Sequence, residues 1–343
     1  MRLHTIDPLS DHRWDEFVSH HPKSSIFHEG GWLRALSATY GYQPLVLTTD
    51  SSGQALSEGI VLCRVSSWIT GVRLVSLPFA DHCEPLCQNA EACCQFIDWL
   101  RTTCDHENFK YIEIRTQSCF DGNDRKYAGA QYYLHTLDLN PSLEVIFEKF
   151  HRDSIQRRIR RAEREQLQYE TGRSDKLIGE FYRLLVMTRK RHGVLPQPQT
   201  WFRNLVEYLR ENVQIRVVRK EGIPIAAMLT LRHGSTVVFK YGCSNERYHC
   251  LGGIPWLFWR VIEESKADRA EVLDFGRSDK DGLGLVTFKD RFGTTRKQIT
   301  YSRYPRPIPA VASATARSMK RIISVLPNIA LSVTGGLVYK HMG

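Results

Sequence analysis

Residues 240–258 read KYGCSNERYHCLGGIPWLF, and this stretch decides the fold. A strand is predicted to end at Tyr241, and a polar turn follows it. Gly252 and Gly253 then precede a helix that has Pro255 in its first turn. Glycines before a helix N-terminus let backbone N–H groups meet a phosphate. The order of strand, glycine loop and helix is typical of α/β or α+β proteins.

The same alternation of elements extends outward over most of the chain. Around the loop, the pattern predicts strands at 213–219, 225–232, 236–241 and 272–275 and helices from Ser142 onward, at 175–191 and at 254–267. In the first half, it predicts strands at 44–49, 58–65, 72–77 and 111–115 and helices at 29–40 and 89–104. The sequence therefore predicts a mixed α/β (α+β) fold.

Length and composition set the domain organisation. A chain of 343 residues exceeds the size at which single cores stop growing, so we predict domains at 1–140 and 141–305 and a tail at 306–343. The hydrophobic fraction of 42% and the charged fraction of 24% exclude disorder and coiled-coil classes. The nine cysteines include no CxxC pair, so we predict neither a metal site nor a thioredoxin-like site.

Charge is distributed unevenly along the chain. Residues 1–140 hold 11 Lys/Arg and 17 Asp/Glu, a net charge of −6, whereas residues 141–343 hold 36 and 20, a net charge of +16. A basic second half indicates an anionic partner, such as phosphate groups, a nucleic acid or a membrane surface, and the alternative is a solvated surface. The six arginines within 152–164 allow the same two interpretations.

The tail differs from both halves. Residues 322–339 hold no charged side chain, but proline, asparagine and glycine interrupt them, so a membrane-spanning helix is not expected. Because Arg317, Lys320 and Arg321 flank this part, an amphipathic segment on an anionic membrane is one prediction, and docking on the protein's own second domain is the other. The first 17 residues contain no apolar core of a signal peptide, which favours a cytoplasmic protein, either free or peripheral to the inner membrane.

Two further segments hold candidate chemistry. The loop 76–86 (SLPFADHCEPL) follows a predicted strand, and it presents Asp81, His82, Cys83 and Glu84 as candidate substrate-binding side chains, with turn capping as the structural alternative. The stretch 274–292 (DFGRSDKDGLGLVTFKDRF) runs through a polar turn into Phe288 and Lys289. A lysine beside an aromatic ring can stabilise a developing oxyanion, and a surface lysine beside a core phenylalanine is the alternative.

Several segments together resemble the Fem-like branch of the GNAT acyltransferase superfamily, which contains peptidoglycan bridge aminoacyltransferases and BioF-type acetyltransferase domains. These segments are SIFHEGGW (25–32), SLPFADHCEPL (76–86), DSIQRRIRRAER (153–164), YGCSNERY (241–248) and LDFGRSDKDGLGLVTFKDRFG (273–293). The resemblance covers about residues 20–305. It implies two tandem GNAT-like domains, each a mixed sheet flanked by helices, and transfer of an acyl or aminoacyl group to a primary amine.

The resemblance also implies roles for individual residues. Phe288 and Lys289 match the family's Phe-Lys pair, whose lysine stabilises the transition state. Asp279, a catalytic candidate, and Arg277, a substrate-binding candidate, lie in the turn that leads to this pair. The remaining candidates are Arg247, Gly252 and Gly253 for the cofactor and Lys240 and Tyr241 for the substrate. The loop departs from the family's pattern because Cys250 stands where its first glycine belongs.

The function predicted from these features is N-acyl transfer to an amine of a cell-envelope or exopolysaccharide precursor. Acyl-CoA is the predicted co-substrate, and no tightly bound cofactor is expected. One alternative is a peptidoglycan bridge aminoacyltransferase that uses aminoacyl-tRNA, which would contact Arg157 to Arg164. The other alternative is a catalytically silent GNAT scaffold in a membrane-associated assembly.

Overall fold

A computed structural model describes residues 3–116, 129–305, 323 and 325–343 of the chain. These residues form two compact units. The first unit contains residues 3–116, 129–132, 298–305 and 337–343, and the second contains residues 133–297, 323 and 325–336. Residues 306–322 of the predicted tail, which include Arg317, Lys320 and Arg321, lie outside the described residues.

The elements up to residue 116 all belong to the first unit. They are β1 (His4–Ile6), α1 (His12–His20), α2 (Gly30–Tyr40), β2 (Gln43–Thr48), β3 (Ile60–Ser67), β4 (Gly71–Ser76), α3 (Ala90–His106) and β5 (Ile112–Thr116). Strands β2, β3 and β4 are antiparallel neighbours, and β5 returns after α3 to pair in parallel with β4. Residues 300–304 of a later strand pair with β5 and extend this sheet.

The elements of the second half follow in chain order. They are β6 (Ala130–Asp138), α4 (Leu143–Glu148), α5 (Arg157–Arg164), β7 (Gln168–Gly172), α6 (Asp175–His192), α7 (Gln199–Leu209), β8 (Val213–Lys220), β9 (Ile223–His233), β10 (Thr236–Ser244), α8 (Gly253–Ala267), β11 (Val272–Asp279), α9 (Leu283–Asp290), β12 (Thr295–Tyr304) and α10 (Asn328–Tyr339). A π-helical turn (Arg152–Gln156) precedes α5, and a 3₁₀ turn (Glu246–Leu251) precedes α8.

The second unit repeats the strand order of the first. Strands β8, β9 and β10 are antiparallel neighbours, and β11 returns after α8 to pair in parallel with β10. Because β1 pairs antiparallel with β2 and β7 pairs antiparallel with β8, each unit contains four antiparallel strands, a crossover helix and a parallel strand. This repetition confirms the predicted mixed α/β fold, in which mixed β-structure is flanked by helices.

The long helix predicted from Ser142 is broken into α4, the π-helical turn and α5. The break lies where the chain meets the end of α9, because the backbone N–H of His151 donates to the carbonyl of Arg291 at 2.7 Å. Beside this bond, the Phe150 ring packs edge-on against Phe292 at 5.3 Å. A tertiary contact therefore replaces the intrahelical hydrogen bonds of a continuous helix.

An aromatic core holds α8, β11 and the end of α9 together. The Phe258 ring stacks on Phe275 with centroids 4.6 Å apart, and Phe292 contacts these rings at 4.8 and 5.4 Å. All three side chains are buried. Buried aromatic groups of this size contribute strongly to core packing, so they fix the position of the segment that carries Phe288 and Lys289.

None of the helices within the described ranges has both the length and the apolar composition needed to cross a bilayer. The longest apolar segment of the tail forms α10, a helix of 12 residues. Leu331 and Gly335 are buried on one side of it, and a Cβ on Gly335 would lie 2.0 Å from the carbonyl oxygen of Pro196. The predicted packing of the tail on the second domain therefore holds for this part of the helix.

Candidate active site

A β-bulge opens one end of the sheet in the second unit. The register between β10 and β9 shifts between Phe239 and Tyr241, which leaves Lys240 as the extra residue. The parallel pairing of β10 with β11 covers only residues 236–238 and 272–274, although the two strands continue to Ser244 and Asp279. Bulges bend and twist a strand, and they are frequent beside active sites.

A pocket of about 390 Å³ lies at this end of β10, beside the N-terminus of α8. Its volume falls within the range of small-molecule sites. The residues that line it come from the π-helical turn, α5, β9, β10, α8 and α9, and they include Ser154, Arg158, Ser244, His249, Gly253, Phe288 and Arg291. Two predicted site residues, Gly253 and Phe288, therefore share one cavity.

The pocket favours an anionic ligand. Arg158 and Arg291 line it, and no acidic side chain does so among the residues that the structure describes. The first turn of α8 also contains no acidic residue and has no side-chain cap. Because Pro255 lacks an N–H, the donors that this turn offers are those of Gly253 and Ile254. The helix dipole adds a positive partial charge at the same point.

His249 lies at the edge of this pocket as a neutral group. Burial lowers its pKa, and the charges of Arg191 and Arg158 lower it further. Its Nε2 lies 2.8 Å from the hydroxyl of Ser244, and its carbonyl accepts a hydrogen bond of 2.8 Å from Arg158 Nη1. The imidazole and this hydroxyl therefore supply neutral polar groups, and the positive charge of the pocket comes from the arginines.

Gly252 is required by the packing of α5 on the glycine loop. Its φ of +79° is in the left-handed region that favours glycine. A Cβ at this position would lie 2.2 Å from the carbonyl oxygen of Arg158, which no side-chain adjustment can relieve. Gly252 therefore lets α5 approach the N-terminus of α8, and Gly253 is the loop glycine that lines the pocket.

Phe288 and Lys289 point in different directions from α9. Phe288 lines the pocket, whereas Lys289 is buried with 2% of its surface exposed and is not part of the lining. The Lys289 ammonium donates to the carbonyl of Gly276 at 2.8 Å and to that of Arg277 at 3.0 Å. These two hydrogen bonds from Lys289 thus fix the C-terminal half of β11, where Gly276 has a φ of +72°.

Sequence reasoning missed a buried histidine next to Lys289. His135 on β6 has no exposed surface, and its Nε2 lies 3.5 Å from Oδ1 of Asp290. Its Nδ1 has no hydrogen-bond partner among the described residues. Burial lowers the pKa of His135 to about 4, and the charge of Lys289 contributes to the shift. The only sequence signal was a lone histidine in a strand that had not been predicted.

The stability of the protein should decrease between pH 7 and pH 5 because of His135. Its pKa is about 4 in the folded state and about 6.5 when unfolded, so the unfolded chain binds the proton first as pH falls. This difference should remove about 2 kcal/mol from the free energy of unfolding between pH 7 and pH 5. Urea titrations at the two pH values test this for the wild type and for His135→Gln, in which the pH-dependent loss should be smaller. Equal losses in both proteins would contradict the assignment.

The remaining candidates of the second unit lie around the pocket rather than in it. Asp279 is exposed at the end of β11, and its carbonyl accepts from the N–H of Gly282 at 2.9 Å. Arg247 is exposed on the 3₁₀ turn. The Lys240 ammonium lies 5.9 Å from the centroid of the Tyr241 ring, and the hydroxyl of Tyr241 accepts a hydrogen bond from Trp201 at 3.0 Å.

The loop candidates of the first unit have structural contacts. His82 packs edge-on against Phe27 at 5.5 Å, and the carbonyl of Asp81 accepts from the Tyr301 hydroxyl at 2.7 Å. Glu84 accepts a hydrogen bond of 2.5 Å from Thr116, and this carboxylate is buried. These contacts hold the loop inside the first unit.

Cys83 of the same loop is buried, and burial raises the pKa of its thiol well above the ordinary value. Its Sγ lies 3.5 Å from Nε2 of His28, which also contacts the carbonyl of Glu84 at 2.9 Å. A thiol with a raised pKa stays protonated near neutral pH, and the thiolate is the nucleophilic form. This environment does not favour Cys83 as a nucleophile.

Comparisons with known proteins agree with this architecture. Residues 149–289 match the family model described as an acetyltransferase (GNAT) domain. The crystal structure of FemX is similar, with a TM-score of 0.68 and 14% identity over 88% of this chain and 97% of that chain. L-PGS from Bacillus licheniformis has a TM-score of 0.57 and 13% identity over 92% and 98% of the two chains.

A tandem GNAT protein from the clavulanic acid biosynthesis pathway also matches, with a TM-score of 0.51 and 8% identity over 88% of this chain and 98% of that chain. No curated protein sequence matches the chain significantly. At these identities the structural matches establish the fold, and the BioF-type assignment stays a prediction. Residues 149–289 thus match a GNAT acetyltransferase domain, and the chain has the fold that FemX, L-PGS and the tandem GNAT protein share.

Proposed function

We propose that this GNAT-fold transferase moves an acyl group from acyl-CoA to a primary amine of a cell-envelope or exopolysaccharide precursor. The observation that carries the proposal is the pocket at the N-terminus of α8. It combines two arginines, two backbone N–H donors and the aromatic ring of Phe288, and none of its described lining residues is acidic. A donor with a diphosphate and an apolar arm offers groups that match each of these features.

The reaction requires little from the protein beyond binding and orientation. The amine nitrogen attacks the thioester carbonyl carbon, the tetrahedral intermediate expels the thiolate as the C–S bond breaks, and the proton lost by the amine is taken up by the thiolate. Arg158 and Arg291 would bind the phosphates, and Phe288 would contact the apolar arm. Lys289 remains our proposal for the group that supports the oxyanion, which it would do by fixing the end of β11 through its two carbonyl contacts.

The acceptor is proposed from charge and from the similar structures. Residues 141–343 carry a net charge of +16, which favours a substrate that also bears phosphate, such as a nucleotide-linked or lipid-linked sugar. The similarity to FemX and L-PGS supports a substrate of the cell envelope. An amine on such a precursor would be the nucleophile.

Aminoacyl-tRNA is the second candidate donor, and the arginines of α5 favour it. Arg157, Arg160 and Arg164 are exposed on this helix. Two members of the set already have acidic partners, since Arg161 pairs with Glu165 at 2.5 Å and Arg157 lies 3.8 Å from Asp153. The face therefore offers fewer phosphate contacts than its composition indicates, and we place acyl-CoA first.

Calorimetric titration with acetyl-CoA tests the choice of donor. We expect micromolar binding to the wild type and an affinity at least about tenfold lower for the double variant Arg158→Ala/Arg291→Ala, since two charge-assisted contacts are lost. Arg232→Ala is the matched control, because Arg232 pairs with Asp268 away from the pocket.

Equal affinity of the wild type and the double variant would remove the pocket as the donor site. If millimolar acetyl-CoA does not bind, a gel shift with charged tRNA at low and high salt decides the second candidate. Phosphate contacts predict retention that falls steeply with salt. If neither acetyl-CoA nor charged tRNA binds, the remaining candidate function is the catalytically silent scaffold.

A further inference from the structure

Two apolar side chains are fully presented to solvent at the turn between β3 and β4. Trp68 is 89% exposed and Ile69 is 58% exposed. The C-terminal segment adds Leu337 and Met342, which are 68% and 61% exposed. Single exposed apolar residues are ordinary, whereas several large ones on two hydrogen-bonded segments indicate an interaction surface. We name these four residues the apolar tip.

Hydrogen bonds join the turn to the C-terminal segment within the first unit. The Ser67 hydroxyl lies 2.9 Å from Nδ1 of His341, and the Thr70 hydroxyl donates to the carbonyl of His341 at 3.1 Å. The same carbonyl accepts from Nη2 of the buried Arg73 at 2.7 Å. The Trp68 ring contacts the His341 ring edge-on at 6.1 Å. The exposed side chains are therefore held on an ordered support.

Basic side chains flank the apolar tip. Lys110 is exposed and packs beside the turn, since a Cβ on Gly71 would lie 3.4 Å from its Cδ. Lys340 is exposed between His341 and the end of α10. Lysines around exposed tryptophan and aliphatic side chains complement an anionic lipid surface, where tryptophan favours the headgroup region.

We propose that the apolar tip is a docking surface for an anionic membrane, with Trp68 and Ile69 inserted at the interface and Lys110 and Lys340 at the headgroups. A lipid surface accepts a small apolar group because each side chain inserts independently. This inference does not depend on the proposed donor or acceptor.

Cosedimentation of the full chain with lipid vesicles tests the docking surface. We expect binding to vesicles of phosphatidylcholine with phosphatidylglycerol, weaker binding to phosphatidylcholine alone, and a blue shift of tryptophan emission on binding. Trp68→Ser/Ile69→Ser should lower the partition coefficient at least about tenfold and remove the blue shift. Ile223→Ser, which changes a 50% exposed residue on β9, is the matched control and should bind like the wild type.

A second double variant, Leu337→Ser/Met342→Ser, leaves the turn unchanged, so it tests the surface even if the first double variant disturbs the turn. It should weaken vesicle binding in the same way. Circular dichroism and thermal unfolding establish that each variant is folded. The proposal would be overturned if the wild type does not bind vesicles. It would also be overturned if both folded double variants bind vesicles as strongly as the wild type does. A concentration-dependent dimer in ultracentrifugation that these substitutions abolish, without vesicle binding, would also overturn it in favour of a second copy.

Discussion

Replacing Lys289 by methionine is expected to lower kcat at least about 100-fold, because loss of the group that fixes the end of β11 should disturb the oxyanion site as much as loss of one donor does. The side chain is buried, and its ammonium donates to the carbonyls of Gly276 and Arg277. Methionine preserves most of the volume and removes the charge, so donor affinity should change far less than kcat. The measurement is release of CoA from acetyl-CoA with a panel of amines, together with calorimetric donor binding.

Two further variants make the Lys289 result interpretable. Lys297→Met removes an exposed lysine from β12 of the same unit and should leave kcat unchanged. Lys289→Arg keeps a charged donor for the two carbonyls, so it provides a folded test if methionine destabilises the end of β11. A folded Lys289→Met protein with wild-type kcat would show that Lys289 has no part in the chemistry.

Substitution of Gly252 by alanine is expected to lower the free energy of unfolding by at least about 2 kcal/mol. The added Cβ would lie 2.2 Å from the carbonyl oxygen of Arg158, and the φ of +79° is unfavourable for alanine. Relief requires movement of α5 away from α8. Because Arg158 lines the pocket, the same movement should also weaken acetyl-CoA binding. Urea unfolding and calorimetry measure the two effects.

Gly179→Ala is the matched control for Gly252→Ala. Gly179 lies within α6, and a Cβ there meets nothing within 4 Å. Alanine should raise the stability by about 0.5–1 kcal/mol at such a helical position. If Gly252→Ala is as stable as the wild type, then the close approach of α5 to the glycine loop is not a requirement of the fold.

Much of the fold was predictable because its elements have regular apolar periodicity. The antiparallel strands β8, β9 and β10 and the glycine loop before α8 were all predicted within a few residues. Hydrophobic alternation and glycine before a helix are local signals, so they survive in a single sequence. The pocket residue Gly253 was identified from the same signal.

Helix α9 was not predicted, and its sequence explains why. It begins at Leu283 after Gly282, contains Gly284, and exposes Leu283 and Leu285 while burying Val286 and Lys289. The buried lysine and exposed leucines reverse the usual pattern of an amphipathic helix. As a result, the opposite orientations of Phe288 and Lys289 could not be read from the sequence.

The break between α4 and α5 and the position of His135 also required the structure. The break depends on a hydrogen bond from His151 to Arg291, which are 140 positions apart. His135 reaches Asp290 from a strand that carries no strong alternation. Arg158 and Arg291 were present in the sequence as two among many arginines, and only the fold brings both to one pocket.

A crystal structure of the protein with coenzyme A bound would test the central claim most directly. The account predicts the diphosphate at the N-terminus of α8, within hydrogen-bond distance of the N–H groups of Gly253 and Ile254, with Arg158 and Arg291 beside it and the pantetheine arm along Phe288. Coenzyme A bound at any other place, or a pocket that stays empty at millimolar ligand, would contradict it.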